Sequence, residues 1–215
     1  MTGEKTKPPT LVLLVRHATN DWVVSGKLAG RAPGIHLNQQ GMAQAEALGR
    51  RLAERPIRAI YSSPLERALE TAAAIARPHE LTVQVNPGIN EVDFGDWTGK
   101  ELKKLSQDPE WRRVQTRPAQ MRFPNGESVR QMQIRAVDEV ERSAAAHREE
   151  TIVLVTHADI IKAVLAHYLG LHLDLFQRLV IGPASISSLH FTGRGPLVTT
   201  VNDSAHLPLD EPQDD

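Results

Sequence analysis

Two histidines and two arginines occupy positions that could form a site for an anion. Arg16 and His17 come directly after the first apolar run of the chain, and His157 comes shortly after another apolar run at 151–155. Arg67 lies in the predicted first turn of a helix that follows a shorter strand. Because ligands of α/β sheets bind at the carboxyl ends of the strands, we expect these four side chains to converge on one edge of a sheet.

The four side chains suit the chemistry of a phosphoryl group. A guanidinium pairs bidentately with phosphate oxygens and stays charged, and the helix that begins near Arg67 would add N–H donors. An imidazole such as His17 can act as a covalent nucleophile while its other ring nitrogen donates to a backbone carbonyl, which fixes the tautomer. A protonated His157 would stabilise the oxygens of the transferring group. A carboxylic acid such as Glu91 or Asp93 could protonate the leaving alkoxide.

Each of these residues also has an interpretation without function. An arginine–histidine pair after a strand is often ordinary surface polarity, and Arg67 could pair with Glu66 or Glu70 along its helix. The functional interpretation is favoured because all four residues agree in their position relative to the strands. The other histidines are interpreted mostly as surface or packing residues, namely His36, His79, His147, His167, His172, His190 and His206.

The elements that would position these residues alternate between strand and helix. Continuous apolar runs are typical of parallel strands buried on both faces. This alternation predicts an α/β fold, a three-layer α/β/α sandwich with a mostly parallel central sheet. Strands are predicted at 11–15, 59–61, 81–85, 151–155, 185–191 and 197–201. Helices are predicted from the cap Asn38 to Pro56, from a capping box at 63–66 to 76, in broken pieces over 98–115, at 128 to about 148, and at 160–168.

Charge and hydropathy exclude several classes of partner. The chain has 26 acidic and 25 basic residues, a net charge of −1, whereas proteins that bind nucleic acid or anionic membranes usually have a strong basic excess. No apolar run approaches the roughly 18 residues that a membrane span needs. The expected partner is therefore a small-molecule phosphate ester, with no nucleic acid and no membrane.

The absence of cysteine excludes disulfides, thiolate catalysis and cysteine-based zinc sites. A cytoplasmic protein is the expectation. The polar segments 1–10 and 207–215 are expected to be flexible tails, and 11–206 is expected to form a single domain. The oligomeric state cannot be read from the sequence, and a homodimer is one possibility.

The order and spacing of these segments resemble the histidine phosphatase superfamily, in its phosphoglycerate-mutase-like branch. The segment LLVRHAT at 13–19 resembles the arginine–histidine–glycine signature of that family, and YSSPLERA at 61–68 resembles its highly specific third motif. The resemblance covers residues 11 to about 203. Other segments agree in order, namely 30–31 with 37–45, EVDFGDWTG at 91–99, PNGES at 124–128 and VTHAD at 155–159.

The resemblance implies a phosphoglycerate-mutase-like fold and a role for each core residue. His17 would be the phosphorylated nucleophile, and Arg16, Arg67 and His157 would complete the phosphate pocket. Glu91 would be the general acid and later the base that activates water. The implied activity is that of a metal-independent phosphoric monoester hydrolase, with no metal and no cofactor.

The sequence departs from the family pattern at five positions near these motifs. Ala18 replaces the usual glycine, and its methyl group fits only if φ is negative there. Asn20 and Val23 replace residues that would add contacts to the phosphate. The Asn20 amide could donate in compensation, or it could merely cap the following turn. Ala158 and Asp159 replace the commoner pair of glycines.

The spacing of the acid and the second histidine favours hydrolysis over transfer. Mutases of this family carry a longer insertion that shields the phosphoenzyme from water, whereas Glu91 and His157 are here only 157 − 91 = 66 positions apart. This predicts a phosphatase with a small cap at about 98–126. A phosphoglycerate-type mutase is the alternative, and a non-catalytic phosphate-binding protein is a weaker one. A histidine metalloenzyme is disfavoured, because neither histidine has a close-spaced ligand partner.

Substrate specificity is expected in the cap and around the pocket. The cap carries arginines beside aromatic and apolar side chains, which could bind a second acidic group of the substrate or form a solvated basic helix. The cap residues concerned are Arg112, Arg113, Arg117, Arg122, Trp111, Met121 and Phe123. The predicted substrate-binding residues are Asn20, Trp22, Arg31, Ser62 and Arg117, with His36 nearby.

Overall fold

A computed structural model describes residues 8–208, and most of both predicted tails, 1–10 and 207–215, lies outside these residues. Six strands form one sheet in the order β3-β2-β4-β1-β5-β6. β1 to β4 are parallel to one another, and β5 is antiparallel to β1 and to β6. The strands are β1 Thr10–Arg16, β2 Ile57–Ser62, β3 Val83–Val85, β4 Thr151–Thr156, β5 Ile186–Thr192 and β6 Gly195–Asp203.

The central strand β1 explains why its sequence is a continuous apolar run. Successive side chains of a strand point to opposite faces, and both faces of this sheet are covered. Val12 and Leu14 pack into the core on one face, whereas Leu13 and Val15 pack into the core on the other. The strand begins at Thr10, one residue earlier than predicted, and continues to Arg16, which brings Arg16 to its carboxyl end.

Helices cover the two faces of the sheet and confirm the predicted three-layer sandwich. α2 and α3 pack on one face, whereas α6 and α7 pack on the other. The helices are α1 Asp21–Val24, α2 Gln39–Leu52, α3 Glu66–Ala76, α4 Leu102–Leu105, α5 Pro109–Thr116, α6 Val129–Ala146 and α7 Ala158–Tyr168. Single-turn 3₁₀ helices occur at Arg77–His79, Pro87–Ile89, Gly95–Trp97 and Pro118–Gln120, and a longer one occurs at Leu173–Arg178.

The predicted capping box at the start of α3 is wrong. The helix begins at Glu66, and its N-cap is Leu65, which makes no side-chain capping bond. Ser63 does not cap α3, because its hydroxyl instead contacts His157 and Asn90. By contrast, Asn38 caps α2 as predicted, and Ser128 forms a capping box with Gln131 at the start of α6.

The segment predicted to be a small cap contains α4, α5 and a 3₁₀ turn. Its apolar side chains pack into the same core as α6, and Trp97 lies 5.9 Å from Trp111 between ring centroids. An isolated β-bridge between Lys27 and Glu101 joins the cap to the loop after α1. Three backbone hydrogen bonds between the same segments accompany it, donated by the N–H groups of Leu28, Gly99 and Leu102. No helix within residues 8–208 is long and apolar enough to cross a membrane.

Candidate active site

The parallel pairing of β1, β4 and β2 brings the predicted site residues together. Arg16 lies opposite Thr156 at the ends of β1 and β4, and the backbone N–H of His17 donates to the Thr156 carbonyl at 2.9 Å. On the other side of β4, the backbone N–H of Ser63 donates to the Val155 carbonyl at 2.9 Å. The rings of His17 and His157 are consequently 5.1 Å apart between centroids.

The imidazole of His17 is held in one tautomer. Its Nδ1 lies 2.7 Å from the carbonyl oxygen of Ala18, which can only accept, so Nδ1 carries the proton and Nε2 keeps its lone pair. Burial lowers the pKa of His17 well below 6.5, and the charges of Arg67 and Arg16 lower it further. The ring is therefore neutral near pH 7, as a nucleophile must be. Ala18 is fully buried and has no positive φ, so its methyl group is accommodated.

Buried donors without partners surround the cavity beside His17. Nε of Arg16, Nε and Nη1 of Arg67, and Nδ2 of Asn20 are buried and form no hydrogen bond. Arg67 is fully buried, and its Nη2 donates to the carbonyl of Gly30 at 2.8 Å. Nη1 of Arg16 donates to the carbonyl of Ile181. Unpaired buried donors are costly, and an anion with several oxygens would satisfy these four together.

Asn20 caps the turn that follows it, and its amide nitrogen stays free to donate. Its side-chain oxygen accepts from the backbone N–H groups of Trp22 and Val23 at 3.0 Å, which caps α1. Because the oxygen is committed to the cap, Nδ2 is the free end of the amide, and Asn20 lines the cavity.

His157 is held through a short chain of side chains. The Asn90 oxygen accepts from the Glu91 backbone N–H, so the Ser63 hydroxyl can donate to that oxygen and accept from Nε2 of His157 at 2.8 Å. Nδ1 of His157 therefore faces the site, 3.5 Å from Nη2 of Arg67 and 3.5 Å from Oε2 of Glu91. Burial, followed by the charge of Arg67, lowers the pKa of His157 well below 6.5, so this ring is neutral before an anion binds.

The carboxyl group of Glu91 is suited to proton transfer. Its side chain is only 13% exposed. Its pKa is raised from 4.5 to about 7, chiefly by burial and next by the nearby charge of Asp159, while the charge of Arg67 acts in the opposite direction. A carboxylic acid with a pKa near 7 can give up a proton and take one back at neutral pH.

Two arginines and a glutamate fix the backbone around Glu91. Nε of Arg31 donates to the Glu91 carbonyl at 2.8 Å, and Nη2 of Arg135 donates to it at 3.1 Å. Oε1 of Glu127 receives bonds from both guanidiniums, at 3.0 and 2.7 Å, and from the Asp93 N–H at 2.9 Å. Glu127 thus ties the acid-bearing loop to the start of α6.

The residues around His17 line a cavity of about 310 Å³. Its lining contains the catalytic candidates Arg16, His17, Arg67 and Glu91 together with Asn20. The lining also includes apolar, polar and charged side chains, namely Trp22, Val23, Lys27, Leu28, Phe94, Leu102, Trp111, Gln115, Asp159, Lys162 and Gln177. Within residues 8–208, no group of three or more histidine, aspartate or glutamate side chains is placed to hold a metal ion.

Three of the predicted substrate-binding residues do not line this cavity. The Arg31 guanidinium is committed to Glu91, Glu127 and Asp93, the Ser62 hydroxyl donates to the Ser63 carbonyl, and Arg117 is exposed at the end of α5. Of the other cap residues, Arg113 pairs with Glu110, Arg122 bonds at the start of α6, Arg112 is exposed, and Met121 and Phe123 are buried. His36 is exposed and pairs with Glu70. The cap contributes Trp111 to the cavity rather than an arginine.

Three charged residues that line the cavity were not among the predicted site residues. Asp159 and Lys162 lie on the first turns of α7, and Lys27 lies after α1. The position of Lys162 five residues after His157 was an available signal, because a helix that begins at Ala158 carries both towards the same edge of the sheet. Ser63 was visible in the sequence but was interpreted as a helix cap.

A sequence profile of the histidine phosphatase superfamily (branch 1) matches residues 12–204. The chain belongs to this family. The chain is 31% identical over 198 residues to phosphoserine phosphatase 1 of Hydrogenobacter thermophilus, covering 91% of this chain and 93% of that protein. It is 30% identical over 210 residues to the metal-independent phosphoserine phosphatase of Arabidopsis thaliana, covering 92% and 83%.

The fold of the family is also found in solved structures. A mutant phosphoserine phosphatase from Entamoeba histolytica, in complex with phosphoserine, superposes with a TM-score of 0.85 at 26% identity, covering 93% of this chain and 100% of that one. The predicted fold and family are confirmed. This histidine phosphatase is a hydrolase that acts on phosphate monoesters.

Proposed function

We propose that the chain hydrolyses small phosphate monoesters through a phosphohistidine at His17. The observation that carries this proposal is the set of four unpartnered, buried N–H donors on Arg16, Arg67 and Asn20. They surround the same cavity as an imidazole whose Nε2 lone pair is free. Phosphoserine is the proposed substrate, since two relatives are phosphoserine phosphatases and a structural neighbour binds phosphoserine.

In the first step, Nε2 of His17 attacks the phosphorus and the bond from phosphorus to the ester oxygen breaks. The arginines and Asn20 hold the equatorial oxygens, whose charge grows in the transition state. The leaving oxygen takes the proton of the Glu91 carboxyl group and departs as an alcohol. Nδ1 of His17 keeps its proton, which stays hydrogen-bonded to the Ala18 carbonyl, so the phosphohistidine forms on Nε2.

In the second step, the Glu91 carboxylate takes a proton from water, and the hydroxide attacks the phosphorus. The bond from Nε2 to phosphorus breaks, which returns neutral His17 and releases inorganic phosphate. A bound phosphate dianion raises the pKa of His157, because it offsets the arginine charges that lower this pKa in the empty site. His157 can then donate from Nδ1 to a phosphate oxygen.

The test is to stop the turnover of phosphoserine with a denaturant at neutral or alkaline pH, which preserves a phosphohistidine, and to map the phosphoryl group. We expect an acid-labile phosphoryl group on the peptide that contains His17, and none in His17→Ala, which should lose nearly all activity. His36→Ala, a change at an exposed histidine, is the matched control and should still be labelled. A phosphoryl group on His157, or a fully active His17→Ala variant, contradicts the assignment.

The mutase alternative is distinguished by the product. A phosphatase releases phosphate from simple monoesters without a bisphosphate primer. Rapid isomerisation of phosphoglycerate with little free phosphate would favour the mutase instead. We further propose that no metal takes part, because Arg16 and Arg67 supply the positive charge, so activity should survive dialysis against a chelator. The cytoplasmic location, the domain limits and the oligomeric state stay predictions.

A further inference from the structure

We propose that Lys162 is a specificity-determining residue that binds a carboxylate on the alcohol part of the substrate, with Asp159 beside it to receive an ammonium group. This inference rests on the proposed phosphatase function and names the chemistry that the same cavity selects. The preferred substrates are then phosphate monoesters of small molecules that bear a carboxylate, and most of all those with an adjacent ammonium.

The cavity is lined both by the phosphate donors and by charged side chains of α7. The phosphate donors are grouped around His17, whereas Lys162 and Asp159 lie on α7 and line the wall of the same cavity. A cavity of about 310 Å³ leaves room for a compact leaving group after the phosphoryl group is placed. Charged groups attached to that leaving group would therefore meet the side chains of α7.

Lys162 is more restrained than most lysines. Its side chain is only 16% exposed, and Nζ lies 2.9 Å from Oε1 of Gln177 and 3.3 Å from Oδ1 of Asp159. A lysine this enclosed is uncommon unless it is paired. An ammonium has three donors, and these two contacts leave one for a ligand. The contacts also hold the ammonium in place before binding, which lowers the entropic cost of recognition.

Asp159 makes the recognition sensitive to a second charge. Asp159 and Lys162 place a carboxylate beside an ammonium in the cavity wall. An α-amino acid carries the same two charged groups, so its ammonium can face Asp159 while its carboxylate faces Lys162. Asp159 replaces one of the two glycines common in this family motif, so this carboxylate is a feature of this chain. The competing explanation is an ordinary ion pair along the helix that stabilises α7 and contacts no substrate.

The experiment compares kcat/KM of Lys162→Met with that of the wild type for four substrates that carry different charged groups. Phosphoserine has the carboxylate and the ammonium, 3-phosphoglycerate has only the carboxylate, phosphoethanolamine has only the ammonium, and p-nitrophenyl phosphate has neither. We expect a loss of roughly 10- to 100-fold for the two carboxylates, mainly in KM, with the other two substrates within about twofold of wild type. Lys162→Arg should restore part of the loss.

Asp159→Asn tests the second half of the proposal. It should lower the ratio of activity on phosphoserine to activity on 3-phosphoglycerate, a ratio that cancels any change in the acidity of Glu91. Lys104→Met is the matched control, because Lys104 forms the same i,i+3 ion pair with Glu101 but its side chain is 74% exposed and outside the cavity.

Two outcomes would overturn the assignment of Lys162. An equal loss on all four substrates would mean that Lys162 only supports the fold, and unchanged activity on both carboxylates would mean that it does not contact them. Failure of the underlying function looks different, because the wild-type protein would then hydrolyse none of the four substrates.

Discussion

The hydroxyl of Ser63 lies 2.8 Å from Nε2 of His157 and accepts a hydrogen bond from the N–H group of that nitrogen. This contact turns Nδ1 towards Glu91 and the phosphate pocket. Ser63 can accept because its own proton is directed to Asn90, whose oxygen also receives the backbone N–H of Glu91. The second histidine and the acid are thus oriented by one shared asparagine.

Removal of this hydroxyl should reduce catalysis without removing a group that touches the substrate. Ser63→Ala leaves the Nε2 proton of a buried imidazole without an acceptor, which favours the wrong tautomer. We expect kcat to fall by roughly 10- to 100-fold, with a smaller change in KM. Ser204→Ala, a change at an exposed serine, is the control. Unchanged kcat in Ser63→Ala would show that Ser63 does not orient His157.

The pH dependence of activity should follow Glu91 on its alkaline side. With a pKa of about 7, Glu91 loses its proton above neutral pH, so kcat/KM for alkyl phosphates should fall there. On the acidic side, activity should fall only below pH 6.5, where His17 becomes protonated, because burial and two arginines lower the pKa of His17. Steady-state kinetics from pH 5 to pH 9 measure both limbs.

Glu91→Gln should abolish the alkaline limb and lower activity most for alkyl phosphates. The loss should be much smaller for p-nitrophenyl phosphate, whose leaving group needs little protonation. Asp93→Asn is the comparison, because Asp93 is the other candidate acid. If Asp93→Asn removed the alkaline limb and Glu91→Gln kept it, the acid would be Asp93.

Glu91 should also make folding stability depend on pH. Its pKa is higher in the folded protein than in the unfolded chain, so the folded state binds more protons between about pH 4.5 and pH 7. Stability from this group is present at low pH and is lost as the pH rises through the folded pKa. Between pH 4.5 and pH 8, the free energy of unfolding should fall by up to about 3 kcal/mol relative to Glu91→Gln. Urea titrations measure this free energy at each pH. A difference between wild type and Glu91→Gln that stayed constant with pH would contradict a raised pKa of Glu91.

Glu127 should affect the reaction through the backbone that it anchors. Glu127→Gln removes the charge that holds Arg31 and Arg135 on the Glu91 carbonyl. We expect activity on alkyl phosphates to fall by about tenfold, with a smaller loss on p-nitrophenyl phosphate, because proton transfer is impaired more than phosphate binding. Glu110→Gln, at an exposed ion pair with Arg113, is the control. Equal losses on both substrates would indicate a general loss of structure.

Gly30 should be intolerant of a side chain. Its φ is +49°, and an added Cβ would lie 2.9 Å from Oγ1 of Thr98. Its carbonyl also holds Nη2 of Arg67. Gly30→Ala should lower the free energy of unfolding by about 1–2 kcal/mol and weaken inhibition by inorganic phosphate. Gly193→Ala, which meets no atom within 4 Å and has no positive φ, should change neither.

The order of elements along the chain and the convergence of Arg16, His17, Arg67 and His157 were predictable because they depend on local patterns. Apolar runs reveal buried strands, and Arg16, His17 and His157 stand where such strands end. The role of Ser63 was missed, because a serine before a proline fits a helix cap equally well, and only the distance to His157 distinguishes the two. The ion pair between Arg31 and Glu127 could not be predicted from the sequence either, because the two residues are 96 positions apart and meet only in the fold.

The sheet order has a consequence for how the protein is made. The first strand, β1, lies between β4 and β5, which are synthesised about 140 and 175 residues later. During translation, this apolar strand therefore has no neighbour until most of the chain has left the ribosome, a period in which unpaired strands are prone to aggregate. The site combines Arg16 and His17 with His157, so a product that terminates before β4 lacks the second histidine. Such a product should consequently show no phosphatase activity.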